Sequence, residues 1–209
     1  MRGRDIKRYG YDWAGLWLVY IPWHFPLHKD TSIQGASEKA EQAFKKQYPA
    51  IYQHLSQYKK QLSARNKAET GIRYEWYAMQ RWGANYSDDF NKPKIVYREI
   101  GFEMDACKLE AGIVINNKLY MVVGEKLDFL LLFFNSSLFN KIILQSANIT
   151  GGKGIDFMAK VKCIVPNELQ QKRASELITP IFDDKTKDDF INQLYNLSPE
   201  EIAFIENNV

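Results

Sequence analysis

A strongly apolar segment at residues 126–145 constrains the fold of this chain more than any other feature. Its leucines and phenylalanines are nearly continuous, so a helix formed here should be buried on most sides. The chain has 209 residues, of which 45% are hydrophobic, and it can build a core around such a helix. This composition is far from that of disordered proteins. We therefore expect one compact domain.

Several shorter segments have the composition of strands. Residues 15–22, GLWLVYIP, are rich in β-formers and end at a proline, which predicts a buried strand. Residues 92–100, KPKIVYREI, alternate as a strand does. Residues 111–117 and 118–123 flank an Asn-Asn-Lys turn and predict a hairpin, and residues 161–166, VKCIVP, predict a further strand.

Helical patterns occupy much of the remaining chain. A helix is predicted from Ser37, and Pro49 fits the first turn of a second helix. The second helix has an apolar stripe that should face the core. This stripe consists of Ile51, Leu55, Tyr58 and Leu62. Near the end of the chain, Ser198 and Glu201 have the spacing of a capping box at the start of a short last helix.

Together these elements predict a mixed α/β (α+β) fold. A small mixed sheet should pack with helices, and a helical C-terminal tail should follow. We place the main body of the domain at residues 1–165. The tail, at residues 166–209, belongs to the same domain.

Charge is distributed unevenly along the chain. The whole chain carries +3, but residues 1–100 contain 17 Lys and Arg against 10 Asp and Glu, whereas residues 101–209 contain 11 against 15. A basic half beside a mildly acidic half is compatible with a polyanion on one side of the molecule. The excess is modest for a DNA-binding protein, so composition permits a nucleic-acid partner without proving one.

Residues 73–82, RYEWYAMQRW, combine aromatic rings with arginines on an irregular connection. Such a loop suits nucleic-acid contact, because bases stack on aromatic faces and arginine binds guanine bidentately. One alternative stays open: Trp76 and Trp82 could instead cap the core, as large aromatic side chains often do. The residues that we predict near base edges or a distorted base step are Arg73, Tyr74, Trp76 and Arg81.

Basic residues elsewhere could neutralise DNA phosphates. Lys92, Lys94 and Arg98 recur at even spacing and share one face of a regular strand, although a solvated charged face is the competing interpretation. The glycine cluster at residues 151–154 could cradle a phosphate through backbone N–H groups, but a plain connection is the favoured interpretation. The predicted phosphate contacts are Arg4, Lys7, Arg8, Lys92, Lys94 and Lys153.

Catalytic motifs are missing from the sequence. It contains no GxSxG elbow, Walker loop or dinucleotide glycine fingerprint. His24 and His28 have helical metal-ligand spacing, but Pro26 between them disfavours a regular helix. Asp183 and Asp184 are neighbours on a predicted helical tail and should not converge on one metal ion. We therefore predict no metal site and no catalytic residue in this chain.

Cysteine usage and hydropathy indicate a cytoplasmic protein. Cys107 and Cys163 belong to no CxxC pair and are expected to be reduced thiols. The apolar runs at residues 16–21 and 129–134 fall short of the roughly 20 residues that a membrane-spanning helix needs. The basic N-terminus has no apolar stretch of signal-peptide form behind it. No membrane partner is expected.

A set of short segments occurs in this chain in a distinctive order. The segments are GRDIKRY (3–9), WLVYIP (17–22), YPAIYQHLSQYKKQLSAR (48–65), RYEWYAMQR (73–81), KPKIVY (92–97), LDFLLLFFNSSLFN (127–140) and LYNLSPEEIAFIE (194–206). In this order they resemble the TaqI-like C-terminal specificity domain of fused restriction-modification enzymes and related adenine-N6 DNA methyltransferases. The resemblance covers nearly the whole chain, and it depends on the order because each segment alone is weak.

The resemblance implies a target-recognition domain, a mixed α/β module that follows a methyltransferase domain and reads DNA bases in the major groove. Its partners would be double-stranded DNA and the covalently adjacent methyltransferase domain. S-adenosylmethionine would bind in that missing domain, and no cofactor would bind in this chain. We expect a fragment cut at a domain boundary, because the NPPY-type catalytic motif is not in these residues.

Two alternatives remain open. The chain could be a protein-interaction module that docks its aromatic loop on a partner subunit. It could also be a free-standing nuclease that uses the Asp183 region, in which case Asp184 would be needed for metal-dependent cleavage.

Overall fold

The computed structural model describes residues 1–98, 104–146 and 161–207. The chain divides into two compact units: unit 1 comprises Met1–Gly15 and Asp88–Val209, and unit 2 comprises Leu16–Ser87. The glycine cluster at residues 151–154, which includes Lys153, lies outside the described residues. The predicted division of the chain at residue 165 stays a prediction.

Eight α-helices and two antiparallel sheets are present in the described residues, which confirms the predicted mixed α/β class with a helical C-terminal region. The helices are α1 (Glu38–Gln47), α2 (Pro49–Ser56), α3 (Lys59–Ser63), α4 (Leu127–Asn135), α5 (Ser137–Ser146), α6 (Glu168–Leu177), α7 (Asp184–Leu194) and α8 (Pro199–Glu206). The strands are β1 (Ile6–Lys7), β2 (Gly10–Tyr11), β3 (Lys94–Arg98), β4 (Ala106–Leu109) and β5 (Leu119–Val122).

Strand β3 is the centre of the three-stranded sheet of unit 1, with β4 on one side and β5 on the other. It lies within residues 92–100, where a strand was predicted. Successive side chains of β3 alternate between faces. Ile95 and Tyr97 pack in the core with α4, whereas Val96 packs with Leu109 in a second cluster. The prediction of an exposed polar face on this strand is wrong, because core residues cover both faces.

The apolar segment at residues 126–145 forms two helices, α4 and α5, where the sequence predicts one. Ser136 interrupts the helix with an extended backbone, and its hydroxyl donates a hydrogen bond to the Phe133 carbonyl oxygen at 2.7 Å. The predicted burial is confirmed, since Phe129, Phe133 and Phe139 lie in the core of unit 1. Across the described residues no single helix is long and apolar enough to span a bilayer; α4 and α5 meet that criterion only as a pair bent by 62°.

Two buried asparagines join α4 and α5 to the edge of the sheet. Asn135 accepts a hydrogen bond from the Ala106 N–H at 3.0 Å and donates one to the Ala106 carbonyl oxygen at 2.9 Å. Asn140 accepts a hydrogen bond from the Met104 N–H at 2.7 Å. The Asn135 amide is the acceptor for the Ala106 N–H, and it shares the Ala106 carbonyl oxygen with the Tyr9 N–H, which donates to the same oxygen at 2.9 Å.

The predicted helical C-terminal region is confirmed as α6, α7 and α8, each with a side-chain N-cap. Asn167, Asp183 and Ser198 each accept a hydrogen bond from the N–H group three residues later. The predicted capping box at Ser198 is confirmed, since Glu201 also accepts a hydrogen bond from the Ser198 N–H at 2.8 Å. These caps define where the three helices begin; α6 and α7 contact α4, and α8 contacts α5.

Unit 2 contains α1, α2 and α3 and long connections. The helix predicted from Ser37 is confirmed as α1, and the Ser37 side chain caps it. The second predicted helix is broken into α2 and α3. The predicted apolar stripe is only half right. Leu55 and Leu62 pack against the core of unit 2, whereas Ile51 and Tyr58 are exposed.

Three segments that the sequence predicts as strands form none within the described residues. Residues 15–22 are irregular, and Trp17 there is 88% exposed. Residues 111–117 turn at Gly112, whose φ is +84°, and β5 pairs with β3 instead of with them. Residues 161–166 pack on the core of unit 1 as irregular chain. Strand-forming residues become a strand only where a partner strand is in reach, and composition does not contain that information.

Candidate nucleic-acid interface

The aromatic loop at residues 73–82 belongs to unit 2, and most of its rings lie inside. Tyr74 and Trp76 are buried in a cluster with Phe44. Trp23 stacks on Tyr74 with ring centroids 4.9 Å apart. The alternative in which Trp76 caps the core is the observed arrangement. Base stacking on Tyr74 or Trp76, as predicted from the sequence, would require the core of unit 2 to open.

Hydrogen bonds join the polar atoms of this aromatic core to the partly buried Glu41 and the buried Glu75. Trp76 Nε1 donates to Glu41 at 2.7 Å, and the Tyr52 hydroxyl donates to the same oxygen at 2.8 Å. Burial acts to raise the pKa of Glu41, but these hydrogen bonds together with the charge and hydrogen bond of Lys59 lower it. Glu75 accepts the His24 N–H at 2.7 Å and lies 3.0 Å from His24 Nδ1. Hydrogen bonds to Glu41 and Glu75 therefore anchor the loop to the core of unit 2.

Arg65, which follows α3, hydrogen-bonds to the backbone of the aromatic loop. Its Nη2 donates to the carbonyl oxygens of Trp76 and Ala78, each at 2.8 Å. Its Nε donates to the Leu62 carbonyl oxygen at 2.9 Å. Burial lowers the pKa of this guanidinium. Arg65 is a structural residue that fastens the loop to α3.

One carboxylate holds both arginines that the sequence predicts near base edges. Glu69 Oε1 accepts a hydrogen bond from Arg73 Nη1 at 2.9 Å, and its Oε2 accepts one from Arg81 Nη1 at 3.0 Å. Arg81 Nη2 is a further donor to Oε1 at 3.3 Å, and Asn66 Nδ2 donates to Oε2 at 2.8 Å. The hydrogen bonds from Arg81, above all, lower the pKa of Glu69. Glu69, Arg73 and Arg81 are named the arginine–glutamate cluster.

The guanidinium groups of this cluster face solvent. The Glu69 side chain is 12% exposed, whereas Arg73 is 58% and Arg81 is 71% exposed. Arg73 uses only Nη1 for hydrogen bonds within the described residues, so its Nε and Nη2 donors remain for a ligand. Its guanidinium also lies over the Trp23 ring at 5.4 Å, a cation–π contact that orients it. A held, exposed guanidinium with a free edge suits bidentate recognition of guanine.

The basic residues of the N-terminus have different surroundings. Arg4 is exposed and makes no ion pair within the described parts of the chain. Lys7 is exposed and pairs with Asp12 at 2.5 Å. Arg8 is partly buried, and its Nη2 donates to the Asn135 carbonyl oxygen at 2.6 Å. Arg4 and Lys7 are therefore surface cations, whereas Arg8 is part of the framework of unit 1.

Lys92 and Lys94 are two residues apart but lie in opposite environments. Lys92 is exposed and pairs with Asp89 at 2.7 Å, and that hydrogen bond raises the pKa of Lys92. Lys94 is fully buried, and its Nζ donates to the carbonyl oxygens of Phe90 at 3.0 Å and Glu110 at 3.2 Å. Burial lowers the pKa of Lys94. The prediction that both lysines share an exposed strand face is wrong, because Lys94 binds backbone oxygens inside unit 1.

The histidines, aspartates and cysteines that could bind a metal ion or act in catalysis make packing and capping contacts instead. In the parts of the chain that the structure describes, no group of three or more His, Cys, Asp or Glu side chains is placed to hold a metal ion. His28 stacks on Phe25, and Asp183 caps α7. Cys107 and Cys163 are free thiols, and burial raises the pKa of Cys107 to about 12.

Glu69 is the member of the arginine–glutamate cluster that the sequence analysis missed. It precedes Arg73 by four positions, the spacing at which a glutamate and an arginine meet on a helical turn. The Arg73 N–H does donate to the Glu69 carbonyl oxygen at 2.8 Å. That spacing could have indicated the first ion pair. The second, with Arg81 at a separation of 12 residues, depends on how the loop folds back.

Comparison with known proteins agrees with the order of segments in the sequence. No curated protein matches the chain. The family model of the TaqI-like C-terminal specificity domain matches residues 1–160, well over half of the chain, so the predicted resemblance is confirmed. This chain belongs to the family of TaqI-like C-terminal specificity domains.

Proposed function

We propose that this chain is the DNA target-recognition domain of a restriction-modification enzyme or an adenine-specific DNA methyltransferase. Membership of a specificity-domain family supports a target-recognition role in restriction-modification. At the level of residues, the proposal is carried by the arginine–glutamate cluster, in which one largely buried carboxylate orients two exposed guanidinium groups.

In the proposed complex, Arg73 and Arg81 contact base edges in the major groove. Each good bidentate contact with guanine is worth about 1–3 kcal/mol of discrimination against the wrong base. The Glu69 carboxylate accepts hydrogen bonds from both guanidinium groups, so both are oriented before DNA binds. Pre-oriented donors lose less conformational freedom on binding, which favours specificity.

Phosphate contacts would set the position of the domain on DNA without reading sequence. Arg4, Lys7 and Lys92 are surface cations that can supply them. The contacts predicted for Arg8 and Lys153 stay predictions. Lys94 would have to leave its buried hydrogen bonds to reach a phosphate.

The catalytic partner is part of the same proposal. An adjacent methyltransferase domain would bind S-adenosylmethionine and accept a target adenine flipped out of the duplex, while this chain holds the remaining DNA. On this proposal the chain contributes binding and specificity, and the transfer chemistry lies in its neighbour.

The test is selection of a preferred sequence from randomised duplexes, followed by fluorescence anisotropy on the preferred and a scrambled duplex. Arg73→Ala and Arg81→Ala should each weaken binding to the preferred duplex by about 5-fold to 150-fold and bring it close to the scrambled one. Arg173→Ala is the matched control, since Arg173 pairs with Glu176 at 3.0 Å and lies over the Phe182 ring at 5.3 Å.

Two results would count against the proposal. Equal weakening on both duplexes would exclude base reading by these arginines. Absence of DNA binding at low salt, with a folded sample, would exclude the DNA-binding function altogether.

A protein-interaction module that docks on a partner subunit is the second candidate. It is favoured by the exposed apolar side chains of Leu16, Trp17, Leu18 and Val19, because contiguous exposed apolar surface often marks an interaction site. This function predicts association with a protein that is insensitive to salt and unchanged by Arg73→Ala or Arg81→Ala. A salt titration of both kinds of complex distinguishes the two functions.

A further inference from the structure

Unit 1 contains a cleft of about 520 Å³ in which Lys92 is the one lining residue that the sequence predicts as a DNA contact. Three lysines from three different elements line it: Lys92 before β3, Lys108 on β4 and Lys126 at the N-cap of α4. Asp128, in the first turn of α4, also lines it. It is named the lysine cleft.

The carboxylate in the lysine cleft already has a partner on each oxygen. Asp128 Oδ1 pairs with Lys108 Nζ at 2.7 Å. Its other oxygen, Oδ2, accepts a hydrogen bond from the Ser175 hydroxyl at 2.7 Å. Asp128 can therefore neutralise one of the three lysines and no more.

The positive charges of the two other lysines, Lys92 and Lys126, are less well neutralised. Lys92 pairs with Asp89 at 2.7 Å, but this ion pair is exposed to solvent and to salt. Lys126 donates to the Pro166 carbonyl oxygen at 2.9 Å, a neutral partner that leaves its charge uncompensated. Each ammonium carries three N–H donors and uses one in these bonds, so donors remain for an anion.

The rest of the lining suits a phosphate and not a base. The described residues that line the cleft include no aromatic ring on which a base could stack; its apolar part is formed by Pro93, Val123 and Leu127. Lysine binds phosphate as a compact point charge and lacks the planar fork that reads base edges. Among the described residues no side chain caps the start of α4, so its first N–H groups add positive partial charge nearby.

We propose that the lysine cleft binds a backbone phosphate of double-stranded DNA and supplies affinity that does not depend on sequence. This inference rests on the proposed function and names the chemical group of the DNA that unit 1 contacts. It assigns a role to Lys108 and Lys126, which have no role in the cluster that reads bases.

The test compares the wild-type chain with the triple variant Lys92→Gln/Lys108→Gln/Lys126→Gln. Anisotropy titrations on the preferred and scrambled duplexes, at about 50 to 200 mM salt, give the slope of log K against log salt concentration. The slope should become shallower by at least about 0.9, the value for one phosphate contact, and affinity at about 0.1 M salt should fall roughly tenfold. Both duplexes should lose affinity by the same factor.

A charge-matched control removes three lysines of α1, Lys39, Lys45 and Lys46, which are exposed. If this control changes the slope as much as the triple variant, general charge explains the effect and the proposal is overturned. An unchanged slope in a folded triple variant also overturns it, while the proposed function survives if wild-type binding stays sequence-specific. Failure of the wild type to bind DNA overturns both.

The double variant Lys92→Gln/Lys126→Gln keeps the ion pair between Lys108 and Asp128 and covers the case in which the triple variant does not fold. Its salt slope and its DNA affinity should change in the same direction as those of the triple variant, but by less. A titration with inorganic phosphate at constant ionic strength separates the two sources of phosphate. Saturable phosphate binding that the double variant loses, with its DNA affinity unchanged, would assign the cleft to free phosphate and overturn the proposal.

Discussion

Substitution of Lys94 by methionine distinguishes a structural lysine from a DNA contact. Lys94 is 0% exposed, and its Nζ donates to the carbonyl oxygens of Phe90 and Glu110. Methionine keeps a stem of similar length and removes the ammonium group. The Phe90 oxygen retains a hydrogen bond from the Gly112 N–H at 2.8 Å. The Glu110 oxygen, by contrast, loses its donor among the described residues.

Two opposing terms determine the change in the free energy of unfolding. An unsatisfied buried carbonyl costs about 1–3 kcal/mol. Removal of the ammonium group recovers part of the cost of burying a charge, and the lowered pKa of Lys94 reflects that cost. We expect a net loss of about 1 kcal/mol for Lys94→Met. Lys94→Ala also removes the stem, and the cavity should add about 2–4 kcal/mol.

The stability difference between wild type and Lys94→Met should depend on pH. Burial lowers the pKa of Lys94 below the 10.5 expected for the unfolded chain. Between these two pKa values the unfolded state binds more protons, so the free energy of unfolding of the wild type rises with pH. Below the lowered pKa the lysine is charged in both states and the burial cost is fully present. The wild type should therefore gain stability relative to Lys94→Met as pH approaches 10.5.

Urea unfolding followed by circular dichroism, at neutral pH and at about pH 10, measures these differences. Anisotropy then compares the DNA affinity of the folded wild type and Lys94→Met, which should agree within about twofold if Lys94 makes no phosphate contact. The reasoning is refuted if Lys94→Met keeps its free energy of unfolding but loses as much DNA affinity as Lys92→Gln.

Three further predictions concern other parts of the molecule. Glu69→Gln removes the carboxylate that orients both arginines, so scrambled duplexes should bind more tightly and the affinity ratio between preferred and scrambled DNA should fall; an unchanged ratio in anisotropy contradicts this. Asn135→Ala removes the acceptor of the Ala106 N–H, whereas the Ala106 carbonyl oxygen keeps the Tyr9 N–H at 2.9 Å, so the free energy of unfolding should fall by about 1–3 kcal/mol, measured in urea; an unchanged free energy of unfolding contradicts it. Cys107, whose pKa burial raises to about 12, should react with iodoacetamide more slowly than the partly buried Cys163, and equal rates by mass spectrometry would contradict this.

Local sequence predicted the starting points of α1 and α8 correctly. Ser37 and Ser198 cap helices where the sequence places them, because an N-cap depends on residues within one turn. The apolar segment at residues 126–145 is buried as predicted, although Ser136 divides it. A break of this kind escapes a pattern of hydrophobicity, since the serine satisfies its hydrogen bonds within the core.

Partners distant in sequence decided the parts that were predicted wrongly. Residues 15–22 have strand-like composition but pair with no strand in the described residues, whereas β4 forms beside β3 and its Ala106 also bonds Asn135 and Tyr9. A strand forms only beside a partner strand, and the composition of a segment does not specify that partner. The same reason explains Lys94. The alternation of residues predicts that it lies on an exposed face, but in the structure it is fully buried.

The sequence by itself determined the family, the fold class and the presence of arginines on an irregular loop, because these follow from the order and local pattern of residues. Only the tertiary structure decided which basic and aromatic residues are available to DNA. Trp76 is buried in the core. Glu69 pairs with Arg73 and also with Arg81, which lies 12 residues after it in the sequence. Availability depends on burial and on ion pairs between distant positions, and both arise only when the chain packs.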